Sequence, residues 1–428
     1  MALSSRGNLA TRLVSHVIVI LIKSLFVVLL AVMSTANAAQ KEPEPQIKLD
    51  QIKSSELITG PYSYFVPPYS YYYFHNMDKL GFKLDWIRRA GPVYPLKKPT
   101  KTFTVNYSHK NHTYSLDEYF KRNAVLGFLV LKDNQIIYEK YFHGSDQNSR
   151  FISNSVGKSI TSTLFGIALE EGKINSIDDP VIKYFPELKD SAFNRVTLKQ
   201  ALAMATGVIA SEDAFDPNST VHLMDESVLH GVPSFTKVLE TLKANPKDTP
   251  GTTFNYTSLN TQVLGQVIEN ATGTPLNQYL EEKIWSKVGM QSDAFLYRAE
   301  AQPDQCAFGC FNATVRDYGR FGLMMMNGGT LGGIKIVSST WVNEATTPVK
   351  FANPLQDSEH LGYGYQWWIP SDGSHAYKGM GIFGQILYID PEKHIVIVQT
   401  SAWPKPEMDE RWQESSQVMS AIVAKISK

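Results

Sequence analysis

The chain has 428 residues, with 41 Lys and Arg against 41 Asp and Glu, and 43% of it is hydrophobic. The first 38 residues hold Arg6, Arg12 and Lys23 and no acid, which leaves 38 basic residues against 41 acidic ones beyond them. That balance has no excess for gripping a polyanion, so it excludes nucleic acid as a main partner and suits a soluble enzyme.

The opening residues have the pattern of a secretory signal. All three bases lie ahead of the apolar run Leu25 to Met33, and Ala36-Asn37-Ala38 offers the small residues a signal peptidase needs. Residues 1–38 are therefore expected to be cleaved, giving a periplasmic or secreted enzyme with no stable membrane anchor. The alternative is an uncleaved anchor over Leu13 to Met33, which must bury Lys23. A polar linker with Pro43 and Pro45 follows over Gln40 to Asp50. Tyr62 to Phe74 then holds six tyrosines and two prolines in thirteen residues, too irregular for a regular element. A strap over the domain surface is expected there, with a substrate-facing aromatic wall as the alternative. Residues 39–120 are assigned to this linker and extension, and 121–428 to the catalytic domain.

Val125 to Lys132 and Gln135 to Phe142 predict two strands joined by an Asp133-Asn134 turn. Next comes Phe151-Ile-Ser-Asn-Ser-Val-Gly-Lys-Ser-Ile-Thr, at the start of the apolar segment Ile160 to Leu169. Ser155 and Lys158 are three apart, a spacing that puts both on one helix face and lets the amine reach the hydroxyl. A serine hydroxyl is a poor nucleophile until a neighbouring base takes its proton, and a neutral lysine can do so. At the first turn of a helix the free N–H groups and the dipole also favour an oxyanion. The same spacing recurs in Ser234-Phe235-Thr236-Lys237, but after Pro233 and ahead of Val238, Leu239 and Leu242 Ser234 is expected to cap an amphipathic helix.

Pro250-Gly251 makes a turn, and Tyr256-Thr257-Ser258 follows it ahead of a helical pattern from Thr261 to Ala271. Tyr256 is either a packed core aromatic or a group that passes a proton between nucleophile and leaving group. Cys306 and Cys310 are the only cysteines, and whether they close a bridge around Ala307-Phe308-Gly309 is left open by the sequence. Strands rich in Ile, Val and Tyr are expected around Tyr365 to Ile369, Gly384 to Ile389 and His394 to Thr400, with a turn at Asp390 to Lys393 and a terminal helix over Glu407 to Lys428.

These residues, with Gly172-Lys-Ile-Asn-Ser-Ile-Asp-Asp-Pro, Val196-Thr-Leu-Lys-Gln-Ala-Leu-Ala-Met-Ala-Thr-Gly207, Arg316-Asp-Tyr-Gly-Arg-Phe-Gly322 and Gly362-Tyr-Gly-Tyr-Gln-Trp-Trp368, resemble the serine β-lactamase and penicillin-binding-protein superfamily. The likeness runs from about Ala124 to Trp403. Within the superfamily, Tyr377-Lys-Gly-Met-Gly-Ile-Phe-Gly-Gln-Ile-Leu-Tyr-Ile-Asp-Pro391 and Ser401-Ala-Trp-Pro404 are similar to the class C-like hydrolases, especially the 6-aminohexanoate-dimer hydrolase group. The resemblance implies an α/β (α+β) fold, an antiparallel sheet flanked by helices with a mostly helical lobe at about 179–353. It implies Ser155 as nucleophile, Lys158 as base, Tyr256 as proton shuttle, and the N–H groups of Ser155 and a residue near Ile382 as oxyanion hole. Ser258, Lys378, Gly379 and Gly381 fall where the family binds substrate.

Two departures bear on substrate. Tyr256-Thr257-Ser258 stands where lactamases usually have Tyr-x-Asn, and Tyr377-Lys378-Gly379 or Gly379-Met380-Gly381 where they have Lys-Thr-Gly. Both remove groups that hold a β-lactam, while nucleophile, base and oxyanion hole still suit esters and unstrained amides. There is no Gly-x-Ser-x-Gly elbow, no metal-binding histidine spacing and no phosphate loop, so neither metal nor nucleotide cofactor is expected. His360 and His375 lie near the third motif and are possible cleft residues. The leading function is thus a hydrolase of a small amide or ester acting through a serine acyl-enzyme. A β-lactamase or D-Ala-D-Ala peptidase is the alternative, and a non-turnover acyl-binding sensor the second.

Overall fold

The computed structural model describes residues 65, 67–98, 103–213, 216–352 and 361–427. The expected leader, the linker at 40–50 and His360 lie outside the described residues.

The hairpin forms as expected from β1 (Val125–Lys132) and β2 (Gln135–Tyr141), and its turn residues Asp133 and Asn134 have φ of 49° and 63°, the left-handed pair that a two-residue hairpin turn requires. Five strands from the far end of the chain join it: β3 (Leu361–Tyr363), β4 (Trp368–Pro370), β5 (Tyr377–Gly381), β6 (Gln385–Asp390) and β7 (Ile395–Ser401). They make one antiparallel sheet in the order β3-β4-β5-β6-β7-β1-β2. The early hairpin therefore closes onto the last strand.

Four longer helices matter for the site: α1 (Val156–Glu170), α2 (Ser258–Thr272), α3 (Val315–Met326) and α4 (Asp409–Ile426). The sheet is covered on both sides. Leu129, Leu131, Val396 and Val398 pack into one core with α1, α2 and α3, while Phe128, Val130, Ile395 and Ile397 pack into a second with α4. This is the alternation of a strand whose successive side chains leave opposite faces. Two glycines bring α3 down on the sheet. A Cβ on Gly319 would stand 2.8 Å from Leu129 Cδ2, and one on Gly322 2.6 Å from Val396 Cγ1.

A smaller sheet orders Lys83–Ile87, Ala294–Arg298, Phe311–Ala313 and Phe151–Ile152. The extension supplies its first strand, paired from Lys83↔Arg298 to Ile87↔Ala294. The smaller sheet shortens the helical lobe: the helices Leu198–Leu202, Thr220–His230, Phe235–Thr241 and α2 belong to the lobe, but the chain returns to strands from Ala294 and α3 lies on the main sheet. The aromatic stretch contains a short helix, Tyr69–Tyr73; it leaves Pro68 and Tyr69 exposed and buries Tyr73 and Phe74 in the main core, so it is a strap anchored in the core.

Candidate active site

The short strand Phe151–Ile152 delivers the chain to α1, and Ser153 N–H bonds Phe311 O at 2.7 Å. Asn154 is left-handed (φ 43°), its amide nitrogen donates to Ile382 O at 2.9 Å, and Ser155 then takes the N-cap position. A serine there usually bonds the first-turn N–H groups. The Ser155 hydroxyl makes no such cap bond and instead receives Lys158 Nζ at 2.7 Å. Ser234, by contrast, caps its helix through Lys237 N–H at 3.3 Å, as expected.

Lys158 is 1% exposed, and its other hydrogen bonds go to Ser258 Oγ at 3.1 Å and Phe308 O at 3.3 Å. Burial disfavours the ammonium and lowers its pKa to about 8, although the carboxylates of Glu212, Asp225 and Glu407 pull the other way. A substantial fraction of this lysine is therefore neutral near pH 8.

Tyr256 arrives from the loop before α2. Its ring stacks on Trp368 at 5.5 Å, meets Tyr363 edge-on at 6.1 Å, and has Lys158 Nζ 5.0 Å from its centroid. Burial raises the phenol above the usual tyrosine range, while a hydrogen bond with Ser155 works against the rise. Ser155, Lys158 and Tyr256 thus converge from two elements.

β5 forms the opposite wall. Gly381 lines the cavity, and a Cβ there would stand 2.9 Å from Ser155 N and 2.8 Å from Ser153 O; one on Gly379 would stand 3.2 Å from Ser159 Oγ. Both glycines let the strand lie against the start of α1, and Ile382 follows on the cavity lining. Lys378 corrects the expectation of a substrate-binding lysine. It is 6% exposed and donates to Ser416 Oγ of α4 at 2.9 Å, on the face of the sheet away from α1. His375 is exposed and paired with Glu392 instead of lining the cleft.

These parts open on a cavity of about 540 Å³. Ser258 is 4% exposed, and its hydroxyl is used between Lys158 and Glu212, with Oγ donating to Glu212 Oε2 at 2.8 Å and its N–H to Oε1 at 2.7 Å. Glu212 was not singled out in the sequence, where it sits in a polar loop 46 residues from its partner with no local pattern to mark it. The cavity also carries Asp213, Asp225, Glu407 and Asp409, with Lys405 as a basic residue among them. Cys306 and Cys310 are bridged, so the loop that presents Phe308 O to Lys158 is closed on itself. Among the described residues no group of three His, Cys, Asp or Glu is placed to hold a metal, and no helix is long and apolar enough to cross a membrane.

A model of the beta-lactamase family matches residues 117–417. The 6-aminohexanoate-dimer hydrolase of Paenarthrobacter ureafaciens is 32% identical over 311 residues, which is 68% of this chain and 76% of the relative. A protein of Escherichia coli (strain K12), provisionally named D-alanyl-D-alanine carboxypeptidase, is 24% identical over 369 residues, 68% of this chain and 82% of its own. In fold, a Bacillus anthracis structure provisionally named 6-aminohexanoate-dimer hydrolase aligns with a TM-score of 0.74 at 24% identity, over 85% of this chain and 96% of that one. The family match spans both the sheet and the lobe that meet at Ser155, and the chain accordingly belongs to the beta-lactamase family of serine hydrolases.

Proposed function

We propose that the protein is a secreted hydrolase of an amide or ester bond, resembling the 6-aminohexanoate-dimer hydrolases, and that it works through an ester on Ser155. The observation that carries this is the 2.7 Å contact from a buried Lys158, its pKa lowered to about 8, to a Ser155 hydroxyl that caps nothing. Neutral Lys158 takes the hydroxyl proton as Oγ attacks the carbonyl carbon. The N–H groups of Ser155 and Ile382 hold the resulting oxyanion. As the intermediate collapses the bond to the leaving group breaks, Tyr256 gives that group its proton, and Lys158 reprotonates the phenolate. Water then hydrolyses the Ser155 ester and restores the hydroxyl.

Two features favour linear, amine-bearing substrates over β-lactams and D-Ala-D-Ala peptides. Lys378 is turned to Ser416, and on the cavity lining Glu212, Asp213, Asp225, Glu407 and Asp409 outnumber Lys405. The Cys306–Cys310 bridge suits export, because disulfides persist in oxidising compartments.

A fluorophosphonate probe tests the nucleophile. Wild type is expected to be labelled on Ser155, and Ser155→Ala to lose both labelling and turnover, by several orders of magnitude. Undiminished labelling of Ser155→Ala would sink the assignment. On substrate, short p-nitrophenyl esters and linear aminohexanoate oligomers are expected to turn over far faster than nitrocefin; efficient nitrocefin hydrolysis would restore the lactamase reading.

A further inference from the structure

A serine hydroxyl has one proton to give and two places to accept. Ser258 gives its proton to Glu212 Oε2 at 2.8 Å, while Oε1 of the same carboxylate takes the Ser258 N–H at 2.7 Å. With its proton spent, Ser258 can only accept from Lys158 Nζ, 3.1 Å away. Phe308 O, 3.3 Å from the same nitrogen, is a carbonyl and can only accept as well. A neutral lysine has two N–H groups and one lone pair. If both N–H groups go to Ser258 and Phe308, the lone pair is left facing Ser155 Oγ at 2.7 Å, which is where a base must face.

We propose that Glu212 is a positioning residue that acts through Ser258 to aim the Lys158 lone pair at the nucleophile, a role that rests on Ser155 and Lys158 being nucleophile and base. Replacing it by glutamine keeps the shape but leaves one oxygen for two donors. The amide NH₂ then faces either the Ser258 N–H, which it repels, or Ser258 Oγ, to which it donates. In the second case the serine proton swings toward Lys158 and occupies the lone pair that Ser155 needs. Lys158 Nζ lies over the rings of Tyr256 and Phe308 and feels the carboxylates of Glu212, Asp225 and Glu407, all of which remain in the variant except the Glu212 charge. Removing that charge destabilises the ammonium, so the lysine loses its proton at lower pH.

The test is kinetics of wild type, Glu212→Gln, Ser258→Ala and the double variant on p-nitrophenyl acetate, an uncharged ester that cannot use Glu212 as a counter-ion, and on a linear amide that carries an ammonium group. Glu212→Gln is expected to lower kcat about tenfold to a hundredfold with little change in KM, the scale of a misaligned catalytic group. The pH range over which kcat rises as Lys158 loses its proton is expected to move to lower pH. The double variant is expected to be no worse than the poorer single one, since both act on one unit. Fully additive losses, an unmoved pH range, or a loss confined to KM for cationic amides would overturn the proposal, the last because Glu212 would then touch substrate. Ser155→Ala separates the two readings: turnover surviving in it removes the nucleophile assignment, whereas a silent Ser155→Ala beside a fully active Glu212→Gln removes only Glu212.

Discussion

Burial moves Lys158 and Tyr256 in opposite directions, and the direction of each shift predicts how activity depends on pH. Burial lowers Lys158 to about 8 and raises Tyr256 above its usual range, so the phenol stays protonated while the amine loses its charge. In the proposed role of base, Lys158 acts when neutral. kcat/KM is therefore expected to rise with pH along a limb centred near 8, and a rate independent of pH from 6 to about 9 would contradict this role for Lys158. Tyr256→Phe keeps the stack on Trp368 and removes the hydroxyl. It is expected to fold normally and lose about a hundredfold or more in kcat/KM on an amide, the scale of a general acid or base. A nitrophenyl ester, whose leaving group needs no proton, should lose less; equal losses on both would make Tyr256 a packing residue. Ser155 and Lys158 were legible because three residues on a helix is a local spacing. Tyr256 came from family likeness, and Glu212 stayed hidden because its bond to Ser258 spans 46 residues and leaves no trace in either neighbourhood.

At the scale of elements, the strand that walls the site shows how parity decides chemistry. Its composition revealed a strand, but not which residues face α1. Gly379 and Gly381 lie against α1, so the side chain of Lys378 between them leaves by the other face and meets α4. Lys378→Met should therefore change kcat/KM by less than about threefold, the effect of an interaction outside the site, and a loss of several hundredfold would return the lysine to substrate binding. Gly381→Ala is the opposite case. The added methyl would lie 2.8 Å from Ser153 O and 2.9 Å from Ser155 N, backbone atoms that cannot swing aside as a side chain can. Overpacking of this kind costs about 1–3 kcal/mol, and here it pushes β5 away from the start of α1. The expected result is a lower Tm together with a fall in kcat, read by thermal unfolding and ester kinetics. The Arg316 to Gly322 motif has a similar cause, since Gly319 and Gly322 are one turn apart and seat α3 on β1 and β7. Sequence displayed the motif without the sheet it fits.

For the whole molecule, the folded structure extends beyond the family likeness. The family match starts at residue 117, yet the strand Lys83–Ile87 lies at the edge of the smaller sheet and pairs with a partner about two hundred residues away. Lys-Leu-Asp-Trp-Ile offers too short an alternation to announce a strand, and the tyrosine-rich stretch before it offers no period at all. What holds this part of the chain in place is burial: Phe74, Met77 and Ile87 are at most 1% exposed, Tyr73 is 3% exposed, and further along Tyr107 is 3% exposed and its hydroxyl donates to Glu414 of α4. Side chains of this size contribute about 1.5–3 kcal/mol each on burial. Five of them approach the ~5–15 kcal/mol that separates a folded domain from its unfolded chain. Their removal would also bare the apolar surfaces they cover on both cores. A fragment of residues 121–428 keeps Ser155, Lys158 and Tyr256 and every strand of the main sheet, so an autonomous catalytic core would make it active. The burial argument predicts instead an insoluble or partly folded product without cooperative unfolding. Circular dichroism melts and fluorophosphonate labelling of the fragment beside the full chain decide between them, and a soluble fragment that melts sharply and labels at the full-chain rate would show the extension to be dispensable.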